Sequence, residues 1–264
     1  QCAECHSTDL KKNYDLATDS YATTWSEIDV ACEACHGPGS AHVDWARAAG
    51  ENPAAQAGKD KRRMVDLADR DGAVWTIDAE TGKPRRSKPR ASHTQIELCA
   101  RCHSRRGQIW EDYEYGKPLG NTHRLALLDE HLYFPDGQIK DEVYVYGSFI
   151  QSKMYAAGVT CSDCHEPHSL RLRAEGNAVC GTCHMQDRYD TPAPHHHEAG
   201  GDAAACTSCH MPQRVYMVND WRADHSMRVP RPDLSSKFAT PNACNGCHAD
   251  KTTDWAAEAV AAWY

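Results

Sequence analysis

Little in this sequence would build a conventional hydrophobic core. Phenylalanine occurs three times in 264 residues, and a mean hydropathy of −0.70 means too little apolar side chain for ordinary folding, though the charge is too modest for disorder. No run of about 20 apolar residues is present, which excludes a membrane-spanning helix. Positive charge is also short: 29 Lys and Arg stand against 37 Asp and Glu, a net −8. That balance argues against a nucleic-acid partner and for solubility or a basic docking partner. Initiator methionine and signal peptide are lacking too, so the chain is expected to be a processed product or the ordered part of a longer precursor. Finally, no cysteine lies outside one short motif.

That motif is Cys-x-x-Cys-His, and it occurs seven times: Cys2/Cys5/His6, Cys32/Cys35/His36, Cys99/Cys102/His103, Cys161/Cys164/His165, Cys180/Cys183/His184, Cys206/Cys209/His210 and Cys244/Cys247/His248. It consumes all 14 cysteines. The spacing is the attachment signature of c-type haem. Cysteines at i and i+3 of a helical turn present both sulfurs to one porphyrin edge, where they form thioethers with the vinyl groups, and the following His lies under the ring as iron ligand. Rival chemistries fit less well. A zinc ribbon pairs two Cys-x-x-Cys knuckles per metal, and seven is odd. A thioredoxin-like site would occur once, and a disulfide framework gains little from loops three residues long. The cofactors implied are seven haem c groups with their iron, about one per 38 residues. Their flat apolar surface would offset chain entropy that the side chains alone could not.

Between the motifs, helix is predicted around Trp25, Ile28 and Cys32, stopping at Gly37-Pro38-Gly39. Ser40 then opens a second helix with His42, Trp45, Ala46 and Ala49 on one side. Residues 51–90 form a haem-free insertion with two basic clusters, Lys59/Lys61/Arg62/Arg63 and Arg85/Arg86/Lys88/Arg90. The second follows a small hairpin over Ala73–Asp78 with its turn at Glu80–Lys83. A solvated insertion is the plainer reading; neutralisation of haem propionates or docking of an acidic neighbour is the sharper one. Thr94 and Glu97 form a capping-box pattern ahead of Cys99. Glu142–Phe149 reads as β-rich, with Asp136-Gly137 as a hairpin turn. A last helix begins near Thr253 and places Trp255, Ala259 and Trp263 toward one side.

Of 16 histidines, nine lie outside the motifs: His42, His93, His123, His131, His168, His195, His196, His197 and His225. Each is a candidate distal iron ligand, since the supply meets the seven that bis-histidine haems require. His131 and the choice within the His195–His197 triplet are the least determined, and the triplet also admits a zinc or copper site. Met185 and Met211 follow motif histidines too closely to reach the far face of their own haem and read as packing residues. Irons with two histidines have no open position and carry electrons without binding substrate.

Several segments carry a family resemblance. Cys32-Glu-Ala-Cys-His-Gly-Pro-Gly-Ser-Ala-His42 resembles the cytochrome c554-like group, in which the second His ligates another haem. Asp141–Met154, Val159–His168 and Asp224–Pro232 resemble exported bacterial multihaem cytochromes often fused to C-terminal tetratricopeptide repeats. Members usually carry a further N-terminal portion with another haem motif, and the helix ending at Tyr264 would sit where the repeats begin. The resemblance spans essentially the whole chain and implies electron transfer.

The expectation is thus a mostly α and irregular, haem-cored fold with one or two short hairpins, forming a single heptahaem domain over residues 1–264. Its function would be electron transfer along a chain of haems, more as a carrier than an enzyme. The expected location is the periplasm or cell exterior, with other redox proteins or copies of itself as partners. Haems close to both chain ends suggest a conductive extracellular filament. The alternative from another class is an oxidoreductase with one open haem acting on a small nitrogen or sulfur compound.

Overall fold

The computed structural model describes residues 2–57, 61–68 and 72–264; Lys59 of the first basic cluster lies outside the described residues. The architecture is short helices joined by irregular chain, with strands only as two-stranded antiparallel sheets among the described residues. The cause is local. The haem motifs themselves nucleate helices, mostly of four or five residues, and in most places no apolar face extends far enough to carry the helix further. None of the described helices is long and apolar enough to cross a membrane.

The chain divides into two compact units, Gln1–Asp71 with Ala91–Leu125, and Gly72–Arg90 with Ala126–Tyr264. The first holds the motifs beginning at Cys2, Cys32 and Cys99; the second holds the other four.

In the first unit the helix Thr94–His103 buries Ile96, Leu98 and Ala100. Glu97 does not close the expected capping box: its carboxylate accepts the Leu119 N–H at 2.8 Å, and Leu119 is itself buried. The strand Arg106–Gln108 follows and pairs with His123–Leu125, setting Gln108 opposite His123. The helix Ser40–Glu51 forms as expected. It starts beyond Gly37, whose φ of 72° and closeness to the Tyr115 and Met64 side chains leave no room for a Cβ. The helix expected around Trp25 and Ile28 does not form. That stretch is extended and bridged to the N-terminus through Thr8–Glu27 and Lys11–Thr24, and helix begins only at Cys32. Trp25 and Ile28 are 49% and 78% exposed, so the polypeptide buries no apolar face there that would hold a helix, and backbone pairing wins.

In the second unit the expected hairpin appears as Trp75–Ile77 against Pro84–Arg86. The Asp78 carboxylate accepts the Thr81 N–H at 2.8 Å across its turn. Tyr133, Ile139 and Val143 form a small buried cluster, backed by Leu132 and Tyr216. The Asp136-Gly137 turn is present, with Gly137 at φ 86° and a Tyr133–Ile139 bridge beside it. The β-rich run expected over Glu142–Phe149 does not form. Tyr144 adopts φ 59°, which ends an extended run, and Tyr146–Phe149 is helical. A hairpin that sequence patterning missed, Gln213–Tyr216 with Asp220–Ala223, leads out of the motif ending at His210. The last helix runs Thr253–Trp263, its first turn capped by the Thr252 hydroxyl accepting the Trp255 N–H.

Candidate haem-binding sites

Each motif folds on a short helical turn, which gathers its two thiols and imidazole. The His6 N–H donates to the Cys2 carbonyl at 3.1 Å, His184 to Cys180 at 2.9 Å and His248 to Cys244 at 2.8 Å. None of the motif cysteines is in a disulfide and none is fully buried. Among the described residues no group of three or more His, Cys, Asp or Glu side chains is placed to hold a bare metal ion, so the zinc or copper reading of the triplet gains no support.

Cys183 is not on the helix of its motif, Ala178–Gly181, but in the turn that follows; its N–H still reaches the Cys180 carbonyl at 3.1 Å. Gly181, the weakest helix former short of proline, sits between the two cysteines and ends the helix early. Cys247 and His36 are the last residues of the helices Ala243–Cys247 and Cys32–His36, and both are exposed, as are Cys2, Cys32 and Cys35.

Thiols of different motifs meet. Cys5 lies against Cys102 beside the Arg106 guanidinium, and Cys180 lies against Cys206. Looser approaches link the remaining motifs: Cys35 has Cys99 nearby, Cys164 has Cys183, and Cys209 has Cys244 and Cys247. Because each sulfur marks a porphyrin edge, these contacts join the first three motifs in one unit and the last four in the other.

The histidines divide by which ring nitrogen is engaged. Nδ1 donates to a backbone carbonyl in His42 (Lys61, 2.7 Å), His210 (Arg228, 2.8 Å), His225 (Ala223, 2.9 Å) and, more closely, His197 (His195). In His168 it faces the Glu166 carboxylate at 3.1 Å. A donating Nδ1 leaves the Nε2 lone pair for a metal, the usual arrangement of a ligating imidazole. Two pairs also have the required separation. His165 and His225 have ring centroids 6.3 Å apart and planes within 20°; His197 and His248 are 6.2 Å apart and within 29°. Two imidazoles on one metal, with bonds of about 2.0–2.1 Å and about 1.1 Å from nitrogen to ring centre, place their centroids about 6.3 Å apart. His195 also lies 6.3 Å from His197, but within one turn of chain. His195 Nε2 is buried without a hydrogen-bond partner. His93 occupies the N-cap position of the helix that leads into Cys99.

Three expected ligands hold other partners. His123 is 2% exposed, and its Nε2 donates to the Glu4 carboxylate at 3.1 Å while Nδ1 pairs with the Thr122 hydroxyl at 2.9 Å. Arg106 joins Glu4 at 3.0 Å. Burial opposes ionisation of Glu4, but the hydrogen bond from His123 and the Arg106 charge prevail and hold its carboxyl down at about 2. His131 is a surface residue, with Nε2 3.6 Å from the Glu130 carboxylate. His196 has a left-handed backbone, φ 56°, and its ring lies flat on Trp263 at 4.1 Å and 10°. Sequence patterning missed both the Glu4–Arg106–His123 cluster and the Trp263 stack, because each joins residues far apart in the chain.

The second basic cluster is partly structural: Arg90 donates to the Tyr155 and Val159 carbonyls, at 3.0 and 3.1 Å, just ahead of Cys161. Large apolar side chains remain exposed around the motifs, among them Trp25, Ile28, Val30, Trp110 and Trp221. Thiol-and-imidazole faces, imidazoles with lone pairs available and uncovered apolar surface together form a donor set that fits haem.

Two family models match parts of the chain: cytochrome c554 and c-prime over residues 1–37, and a doubled CXXCH motif over residues 153–189. No curated protein matches. Among solved structures, the crystal structure of the outer cell wall cytochrome OcwA is similar in fold, with a TM-score of 0.59 at 18% identity. The alignment covers 100% of this chain and 63% of that one, so the chain spans somewhat under two thirds of OcwA. With the seven motifs folded on short turns, the chain is similar to multihaem c-type cytochromes in these segments and in fold.

Proposed function

We propose that the chain conducts electrons through seven covalently held haems, most of them ligated by two histidines. The observation that carries this reading is the pairing of His165 with His225 and of His197 with His248 at the separation that two axial ligands of one iron require. Haem c supplies one-electron redox chemistry. The chain's own residues would hold it: the paired thiols would anchor each haem covalently, the motif His would ligate its iron, and carbonyl-anchored imidazoles such as His225 and His42 would supply second ligands to neighbouring groups. The close Cys5–Cys102 and Cys180–Cys206 pairs support short edge-to-edge steps within each unit.

Covalent haem attachment and the likeness to an outer cell wall cytochrome support export to the periplasm or cell exterior. The electron partners in this reading are other redox proteins or further copies of the chain, and stacking of copies end to end would give a conductive filament. The test is haem quantification on the native protein, together with electron paramagnetic resonance of its oxidised form. Seven haems, six or more of them low-spin, are expected; fewer haems, or a majority of high-spin irons, would refute the reading. Electron microscopy under native conditions separates filaments from discrete particles.

A further inference from the structure

Two of the candidate haem sites share one strip of chain. His225 faces His165 with ring centroids 6.3 Å apart, and three residues later Arg228 lies against His210, the histidine of another motif. That contact is reciprocal: the Arg228 N–H donates to the His210 carbonyl at 3.1 Å, and His210 Nδ1 donates to the Arg228 carbonyl at 2.8 Å. His225 Nδ1 likewise donates to a carbonyl of the same strip, that of Ala223, at 2.9 Å. The course of residues 223–228 therefore fixes how two imidazoles are turned.

A buried carboxylate sets that course. Asp224 is 6% exposed. Its Oδ1 accepts the Ser226 N–H at 2.8 Å, closing a turn around His225, and its Oδ2 accepts the Ile139 N–H at 3.3 Å, tying that turn to the cluster of Tyr133, Ile139 and Val143. A carboxylate is costly to bury unless its oxygens are paired, and here backbone N–H groups pair both. The Asp224 N–H donates to the Pro212 carbonyl, two residues beyond His210. Ser226, also buried, passes the constraint on: its hydroxyl accepts Arg228 Nε at 2.9 Å, and the guanidinium reaches the Asp136 carbonyl at 3.3 Å. We infer that Asp224 is a positioning residue for two haem sites at once, setting His225 opposite His165 directly and steadying His210 through Ser226 and Arg228. An Nδ1 hydrogen bond fixes the ring and raises the basicity of the ligating nitrogen, which favours oxidised iron. The inference rests on the reading of these histidines as haem ligands and adds a residue that acts through them.

The test uses the native, haem-loaded protein and its variants. Peptide mass spectrometry first locates haem on the Cys161/Cys164 and Cys206/Cys209 pairs; a pair without haem would overturn the functional reading and the inference together. With both loaded, resonance spectra of the oxidised protein and a spectroelectrochemical titration bear on the inference alone. Asp224→Ala should shift the signals and raise the potentials of two of the seven haems, one of them the haem that turns high-spin in His225→Ala. Ser226→Ala changes no charge and keeps the backbone N–H that Asp224 accepts, so it should shift one haem only, and not the one marked by His225→Ala. Val143→Ala, a cavity in the adjacent cluster, should lower thermal stability and leave every haem signal in place. Seven unchanged signals in Asp224→Ala, or a uniform shift of all seven, would sink the inference, as would Val143→Ala reproducing the two-haem pattern. An unchanged spectrum in Ser226→Ala does the same even where Asp224→Ala fails to accumulate.

Discussion

Replacing His225 with Ala tests the axial assignment most directly. The His165 and His225 centroids are 6.3 Å apart, the separation that two imidazoles sharing one metal would have. Removing one ring therefore deletes one axial bond and leaves the partner bond in place. Damage to the fold should be small. The Nδ1 hydrogen bond to the Ala223 carbonyl is lost, worth about 1 kcal/mol, while the backbone N–H of residue 225 keeps its bond to the Ser148 hydroxyl at 3.2 Å. The expected result is unchanged haem content and a gain in high-spin iron of about one seventh of the total, reversed by added imidazole. His225→Met should instead stay low-spin and raise the potential of one haem, within the roughly 0.8 V that axial ligation spans. Resonance spectra and a spectroelectrochemical titration read both variants. Seven haems with an unchanged high-spin share in His225→Ala would refute the assignment and the use of the 6.3 Å separation as its sign.

Glu4→Gln should destabilise the first unit by about 3–5 kcal/mol, the usual cost of stranding a buried charge, here Arg106 with 7% side-chain exposure; denaturant unfolding showing less than about 1 kcal/mol would mean the cluster is not coupled. Tyr133 is 3% exposed, and burial with the nearby Asp224 and Asp129 pushes its phenol up to about 12. Because the folded value is raised, its contribution is whole below pH 10 and is lost as pH climbs toward 12, amounting to about 2–3 kcal/mol. Unfolding measured from pH 9 to 12 should therefore fall more steeply in the native protein than in Tyr133→Phe, and parallel curves would contradict the assignment. Gly147→Ala would drive a Cβ into the Tyr133 hydroxyl. Overpacking of this kind costs about 1–3 kcal/mol, so a variant with native thermal stability would show that the Tyr133 ring moves freely.

Regular elements were legible wherever a local signal sufficed. The helices at Ser40, Thr94 and Thr253 and the hairpin beside Asp78 each have a start or turn signal within a few residues. Patterning misled where the partner is distant. Trp25 and Ile28 have helical spacing, yet pairing with Thr8 and Lys11 holds the segment extended. Val143 and Tyr146 sit in a stretch with β composition, but a left-handed Tyr144 turns it into helix.

The same division runs through the haem sites. Sequence alone carried the resemblance to multihaem cytochromes and marked the candidate proximal ligands, because Cys, Cys and His share one short turn and their spacing is written in five consecutive residues. It also supplied the pool of nine further histidines. Tertiary structure decided how that pool divides: His225 faces His165 across 60 residues of chain, while His123 goes to Glu4, 119 residues away, and His196 to Trp263. A proximal ligand is positioned by its own turn, whereas a distal one is positioned by whatever the fold carries to the far side of the ring, and no local spacing records that approach.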